Sequence, residues 1–293
     1  MKNLKGIYTA LLTPFDEQGR IKGTELARLV KHNLDLGADG FYVCGSTAEA
    51  MMLTAEERKE IMAIVKETAG DAKLIAHVGT LNERDAHALA AYAKELGYDL
   101  ISSVAPYYYK FSFSEIHDYY VRLAEQSGMK MLVYHIPAFS GVGMGMKELS
   151  SFLGDDRFAG IKYTSNDFFT MERCKALYPD KLILNGYDEM LLSGLAMGAD
   201  GGIGSTYNFM ADKFVLIRKL FGEGKIEEAR AVQNEANRII AVLCEIGVMQ
   251  AEKEIMNQLG LEFGSCLPPF SKVTEEQKAR IAKEIIPFIR PVA

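Results

Sequence analysis

The chain has 293 residues, 48% hydrophobic and 25% charged, the composition of an ordinary globular protein. A formal net charge of −6 with no long run of Lys or Arg excludes the concentrated basic patch that a nucleic-acid surface requires. No segment reaches the roughly 18 consecutive apolar residues of a membrane-spanning helix.

The opening MKNLKGIYTALLTPFDEQG holds a short apolar run that meets Pro14, Asp16 and Glu17 too soon for the core of a secretory signal. Cys44, Cys174, Cys244 and Cys266 form no CxxC pair, which suits reduced thiols and a soluble protein of the cytoplasm. The first strand is predicted at GIYTALL (6–12), followed by an amphipathic helix that stops at Gly37 and a second strand at GFYV (40–43). TAEERKEIMAIVKETAG is a helix whose start is marked by Thr54 and, three residues on, Glu57, a capping box. Further strands are predicted at KLIAHV (73–78), LISSV (100–104), KMLVY (130–134), FAGIK (158–162), LILN (182–185) and GGIG (201–204). Helical stretches such as NERDAHALAAYAKELG, SEIHDYYVRLAEQSG and EMLLSGLAMGADG lie among them.

Continuous apolar strands of this kind suit a parallel sheet covered by helices. Eight strand–helix repeats in about 220 residues predict an α/β protein of the (β/α)8 TIM-barrel class, for which roughly 250 residues is typical. The rival is an open doubly wound sheet with a dinucleotide site, which needs G-x-G-x-x-G after its first strand; TPFDEQG stands there instead. Beyond residue 222 the strand pattern stops, and GKIEEARAVQNEANRIIAVLCEIG, VMQAEKEIMNQLG and TEEQKARIAKEIIPFI read as three helices. With no Pro/Ser-rich linker, residues 223–293 are expected to pack as a helical extension on a barrel of residues 1–222, the two forming a single catalytic unit.

Barrel enzymes carry their chemistry at the C-terminal strand ends. Those ends supply Gly45-Ser46-Thr47-Ala48-Glu49, Tyr134-His135-Ile136-Pro137, Lys162-Tyr163-Thr164-Ser165, Asn185-Gly186-Tyr187-Asp188-Glu189 and Gly204-Ser205-Thr206-Tyr207-Asn208. Lys162 reads either as a snorkelling lysine or as an amine made nucleophilic by desolvation. An exposed lysine, with a pKa of roughly 10.4, has only a few neutral amines in ten thousand at pH 7. Burial raises that fraction, and a neutral amine attacks a ketone to form an iminium. Tyr134, one strand over, reads as a proton shuttle or as a core tyrosine tied to backbone. The Gly45-Ser46-Thr47 turn offers N–H groups and hydroxyls to a carboxylate, or is a plain turn. His77 is expected to be a hydrogen-bonded core residue. The run Tyr107-Tyr108-Tyr109 reads as core packing or as an anchor at a subunit contact. The five histidines show no HExxH spacing, so no metal site is expected.

LLTPFDEQG, GSTAEAMMLT, IAHVGT, PYYYKFSF, YHIPAFSG, GIKYTS, NGYDEM and GADGGIGSTYN, in that order, span essentially the whole chain. Together they resemble the pyruvate-dependent class I aldolase family that includes N-acetylneuraminate lyase and dihydrodipicolinate synthase. The resemblance implies that Lys162 forms a Schiff base with the keto carbon of pyruvate and that Tyr134 relays protons. It implies that Ser46 assists the relay and, with Thr47, binds the pyruvyl carboxylate. Tyr108 would enter a neighbouring subunit's site, giving a homotetramer built as a dimer of dimers. No cofactor is implied beyond the covalent imine to Lys162.

Dihydrodipicolinate synthases usually carry an arginine just beyond the Tyr-x-x-Pro element, where this chain has Ala138-Phe139-Ser140-Gly141. NGYDEM resembles the sialic acid lyase form, with Asp188, Glu189 and the Gly186 carbonyl accepting hydrogen bonds from a polyol tail, and Thr164 and Ser205 adding hydroxyls. Asp188 and Glu189 have a second reading, as carboxylates that favour the start of the next helix. The implied reaction is cleavage of N-acetylneuraminate, a sialic acid, to N-acetylmannosamine and pyruvate. The alternatives are an aldolase for a 2-keto-3-deoxy sugar acid or for aspartate semialdehyde, and a catalytically silent sensor of pyruvate or a sugar acid. The chain departs from the family pattern at Ala48, usually glycine, which matters if that position requires a positive φ. It also departs at His135, usually asparagine, at Met249, often aromatic, and in the loose GVGMGM segment.

Overall fold

The computed structural model describes residues 3–292. The eight apolar runs form β1 (Gly6–Ala10), β2 (Gly40–Val43), β3 (Lys73–His77), β4 (Leu100–Val104), β5 (Met131–His135), β6 (Phe158–Tyr163), β7 (Leu182–Asn185) and β8 (Gly201–Gly204). They close into a barrel in chain order, and β1 with β2, and β3 through β8, pair in parallel. The (β/α)8 barrel expected from the repeats is the fold observed. Nearly every strand residue is buried, as expected for strands packed on both faces. Boundaries move by a residue or two. β1 ends before Leu12, whose N–H donates to the Asn208 side chain at 3.1 Å.

The chain divides into two compact units, one of Lys73–Ile203 with the residues up to Gly6, the other of Ile7–Ala72 with the chain from Gly204 onward. In the first, the strand that carries Lys162 is anchored by aromatic rings. Phe158 of β6 meets Phe152 of the helix Met146–Leu153 edge-on at 5.0 Å, and Phe152 in turn meets Tyr120 at 5.2 Å.

In the second unit, the capping box predicted at Thr54 opens the helix Ala55–Thr68. The Glu57 N–H donates to Thr54 Oγ1 at 3.2 Å, and the Glu57 carboxylate accepts from the Thr54 N–H at 2.7 Å. The three C-terminal helices are Ile226–Ile246, Val248–Gln258 and Glu275–Glu284. The last is shorter than its apolar pattern predicts because Pro287 has no N–H to continue the ladder, and a 3-10 turn at Ile286–Phe288 replaces it. Among the described residues no helix is long and apolar enough to cross a membrane. The four cysteines are thiols and not disulfide-bonded; Cys44, Cys174 and Cys266 are buried and Cys244 is exposed.

Candidate active site

Across β5 and β6 the pairing starts at Met131 with Phe158, shifts by one residue, and continues as Leu132 with Gly160 through Tyr134 with Lys162 and His135 with Tyr163. Side chains alternate along a strand, so a one-residue slip changes which ones share a face. The shift is what makes Tyr134 the lateral neighbour of Lys162. Lys162 is 4% exposed, and its Nζ lies 4.0 Å from the centroid of the Tyr134 ring. A snorkelling lysine keeps its head in water, and this one does not. Burial pushes the amine pKa down to about 7, against an opposing pull from the Asp188 carboxylate. About half of the amines are then neutral at pH 7, where an exposed lysine has a few in ten thousand.

Asp188 is buried in the 3-10 turn Asp188–Met190 that follows β7, and Glu189 beside it is half-buried. The Asp188 carboxylate acts on the Lys162 amine, and the six-residue helix Leu191–Ala196 follows the turn. Thr164 is buried, and among the described residues its Oγ1 has no hydrogen-bond partner. Gly186 makes that placement possible, because a Cβ there would lie 1.9 Å from Thr164 Oγ1.

His77 is the hydrogen-bonded core residue expected, its Nε2 accepting from the Val104 N–H at 3.1 Å, which leaves the ring proton on Nδ1. The same ring also stands edge-on to Tyr134 at 6.1 Å, so it helps wall the phenol in place. His135 and Tyr163 project from the opposite face of their strands to Tyr134 and Lys162, with ring centroids 5.2 Å apart. Burial pushes the His135 pKa down to about 4, so the imidazole stays neutral. The departure from asparagine is therefore absorbed on the side of the sheet away from the amine.

In the other unit, Ser46–Ala48 forms a 3-10 turn in which Ser46 and Thr47 are half-buried. The Ala48 N–H donates to the Gly45 carbonyl at 3.1 Å, and the Glu49 N–H donates to that of Ser46 at 3.0 Å. The left-handed residue is Glu49, with φ +57, and not Ala48, so the methyl at position 48 meets no backbone penalty. Ala48 is buried, its carbonyl accepting from Thr13 Oγ1 at 3.0 Å. Ser205, just past β8, is half-buried.

Tyr108 is 84% exposed with φ +76, and Tyr109, also exposed, meets it edge-on at 5.1 Å. Core packing, one of the two readings of the tyrosine run, does not describe these two residues. Lys253, 1% exposed in the helix Val248–Gln258, pairs with Glu49. The sequence disclosed nothing of that pair, since VMQAEKEIMNQ scatters its charges like any helix surface. Among the described residues no three His, Cys, Asp or Glu side chains come together as a metal site.

A parallel (β/α)8 barrel with a desolvated lysine near the carboxyl end of one strand, set against a tyrosine ring from the next, defines an imine-forming enzyme of the class I aldolase type. The chain belongs to the dihydrodipicolinate synthetase family, which it matches over residues 3–286. It is 44% identical over 287 residues to the N-acetylneuraminate lyase of Rhizobium meliloti (strain 1021), across 98% of this chain and 96% of that one. Identity to the N-acetylneuraminate lyase of Haemophilus influenzae is 43% over 288 residues, across 97% and 98%. Among solved structures, the Clostridium difficile protein crystallised in complex with mannosamine superposes with a TM-score of 0.95 at 38% identity, covering 98% of this chain and 100% of that one. The N-acetylneuraminate lyase of Fusobacterium nucleatum complexed with pyruvate gives 0.93 at 37%, covering 98% of each.

Proposed function

We propose that the chain is a Schiff-base lyase that cleaves N-acetylneuraminate to N-acetylmannosamine and pyruvate. The observation that carries the mechanism is the buried Lys162 amine lying against Tyr134; relatives that span nearly the whole chain support the substrate. Lys162 Nζ attacks the C2 ketone of the open-chain sugar acid, and loss of water gives an iminium. Tyr134, assisted by Ser46, takes the proton from the C4 hydroxyl. The C3–C4 bond breaks, its electron pair moves into the iminium to give an enamine, and N-acetylmannosamine departs as the aldehyde. The enamine takes a proton at C3, and water releases pyruvate and the free amine. Because the iminium is the electron sink, the reaction needs no metal or organic cofactor.

Ser46 and Thr47 hold the carboxylate. Thr164, the Gly186 carbonyl, Asp188, Glu189 and Ser205 receive the polyol. The buried Thr164 hydroxyl, which has no hydrogen-bond partner among the described residues, supports that role, since such a group is costly to leave unsatisfied. Asp188 also favours the iminium, the positively charged, protonated form of the imine and the form that accepts the electron pair. The absence of an arginine at 138–141 disfavours aspartate semialdehyde. The working assembly is a homotetramer in the cytoplasm, residues 223–293 belonging to the same catalytic unit as the barrel. Tyr108 enters a neighbouring protomer, a role supported by its exposure and by a positive φ that a bulky residue seldom adopts.

Purified protein is expected to release pyruvate from N-acetylneuraminate with a kcat/KM roughly tenfold or more above that for 2-keto-3-deoxygluconate. The reverse order would reassign the substrate. A pH series probes the amine itself. Lys162 loses its proton as pH rises through about 7, so the rate of adduct formation with pyruvate should climb about tenfold per pH unit below that value and level off above it. A rate still climbing well into the alkaline range would mean an ordinary, solvated lysine.

A further inference from the structure

Glu49 and Lys253 form an ion pair that the mechanism above does not use. Glu49 Oε1 and Lys253 Nζ are 2.6 Å apart, with side chains 0% and 1% exposed. Both are committed further. Glu49 Oε2 accepts from the Leu267 N–H at 2.6 Å. Lys253 Nζ donates to the Ser265 carbonyl at 3.2 Å and lies 4.1 Å from the centroid of the Phe15 ring. One buried carboxylate therefore ties the segment after β2 to the helix Val248–Gln258 and to the loop beyond it. Burial pulls the lysine pKa down while Glu49 holds it up.

The place of Glu49 in the backbone gives the pair its meaning. It is the residue that ends the Ser46–Ala48 turn, with φ +57 and ψ 26, and its own N–H closes the turn on the Ser46 carbonyl. A residue with a Cβ holds the left-handed conformation at a cost and keeps it only when its surroundings impose it. The surroundings here are the contacts to Lys253 and Leu267. Two fully buried charges are also a poor way to fill a core, because an apolar pair of the same volume is as stable or more so, and the best attested use of such pairs is to select one conformation.

We infer that Glu49 and Lys253 are positioning residues that hold the Ser46–Thr47 turn in the conformation that receives the carboxylate of a 2-oxo acid. Neither touches the substrate, and the inference rests on the carboxylate-binding role proposed above for the turn. The C-terminal extension then has a part in substrate binding through Lys253, without supplying a group to the chemistry.

The test is the double variant Glu49→Gln/Lys253→Met in the full chain. It removes both charges together, keeps their volumes and strands no single charge. Adducts are formed with pyruvate and borohydride at Lys162, with parent and variant titrated against pyruvate. The variant is expected to fold and to need about 10- to 100-fold more pyruvate for half-maximal adduct, reaching the same final yield. Its KM for N-acetylneuraminate should rise by a similar factor, with kcat falling less than KM rises. A half-saturation equal to the parent's would overturn the inference while leaving the aldolase reading intact. So would failure of the double variant to fold, since the pair would then serve the fold alone. A parent that forms no adduct would remove the aldolase reading and this inference with it.

Discussion

Replacing Lys162 with Met is expected to lower kcat/KM for N-acetylneuraminate cleavage by roughly 10⁴-fold or more and, at the same time, to raise the melting temperature. The activity is lost because the substitution removes the amine that attacks the ketone. The stability gain follows from linkage. The amine pKa is lowered from 10.5 to about 7 in the folded chain, so between those values the unfolded chain binds more protons and stability rises with pH. Below about pH 7 the full cost of desolvating the ammonium is present; above about 10.5 it is gone. Met is apolar and similar in length, so at pH 7 the substitution relieves up to about 4 kcal/mol. A variant that melts lower than the parent would contradict the stability half, and one that keeps its activity would contradict the catalytic half. A purely structural lysine would give the opposite pattern, with stability lost and activity falling only as the protein unfolds.

The second large effect is expected from Tyr134→Phe. The ring against which Lys162 Nζ packs at 4.0 Å is retained, as are its burial and its edge contact with His77. Only the hydroxyl is removed. If that hydroxyl carries the proton, kcat falls by roughly 10²- to 10⁴-fold, KM changes little, and pyruvate still forms a borohydride-stable adduct at Lys162. A kcat within about tenfold of the parent's would reassign the relay to another group.

All eight strands are legible in the sequence, because burial on both faces makes each a short run of mostly apolar or small residues, bounded by helical patterns. Their ends were less so. Leu12 is as apolar as Leu11, but its N–H turns to Asn208, a partner 196 positions away. The last helix is shorter than its sequence predicts because the apolar pattern of IIPFI runs on through a proline that the helical backbone cannot follow.

At the site, Lys162 and Tyr134 were found from their positions at strand ends and from the family resemblance. The register that makes them neighbours was not, since it depends on the shift between Met131 and Leu132. Two of the departures from the family pattern, Ala48 and His135, are tolerated for geometric reasons. In the turn, the left-handed conformation falls one residue later. On β5, the imidazole occupies the opposite face from the phenol. The Glu49–Lys253 pair joins positions that no local pattern connects.

Every step of the proposed chemistry depends on imine formation at Lys162. Incubation with pyruvate and borohydride, followed by peptide mass analysis, is expected to leave a single stable adduct on the peptide that contains Lys162. A protein that remains unmodified, or one labelled at a different lysine, would contradict it.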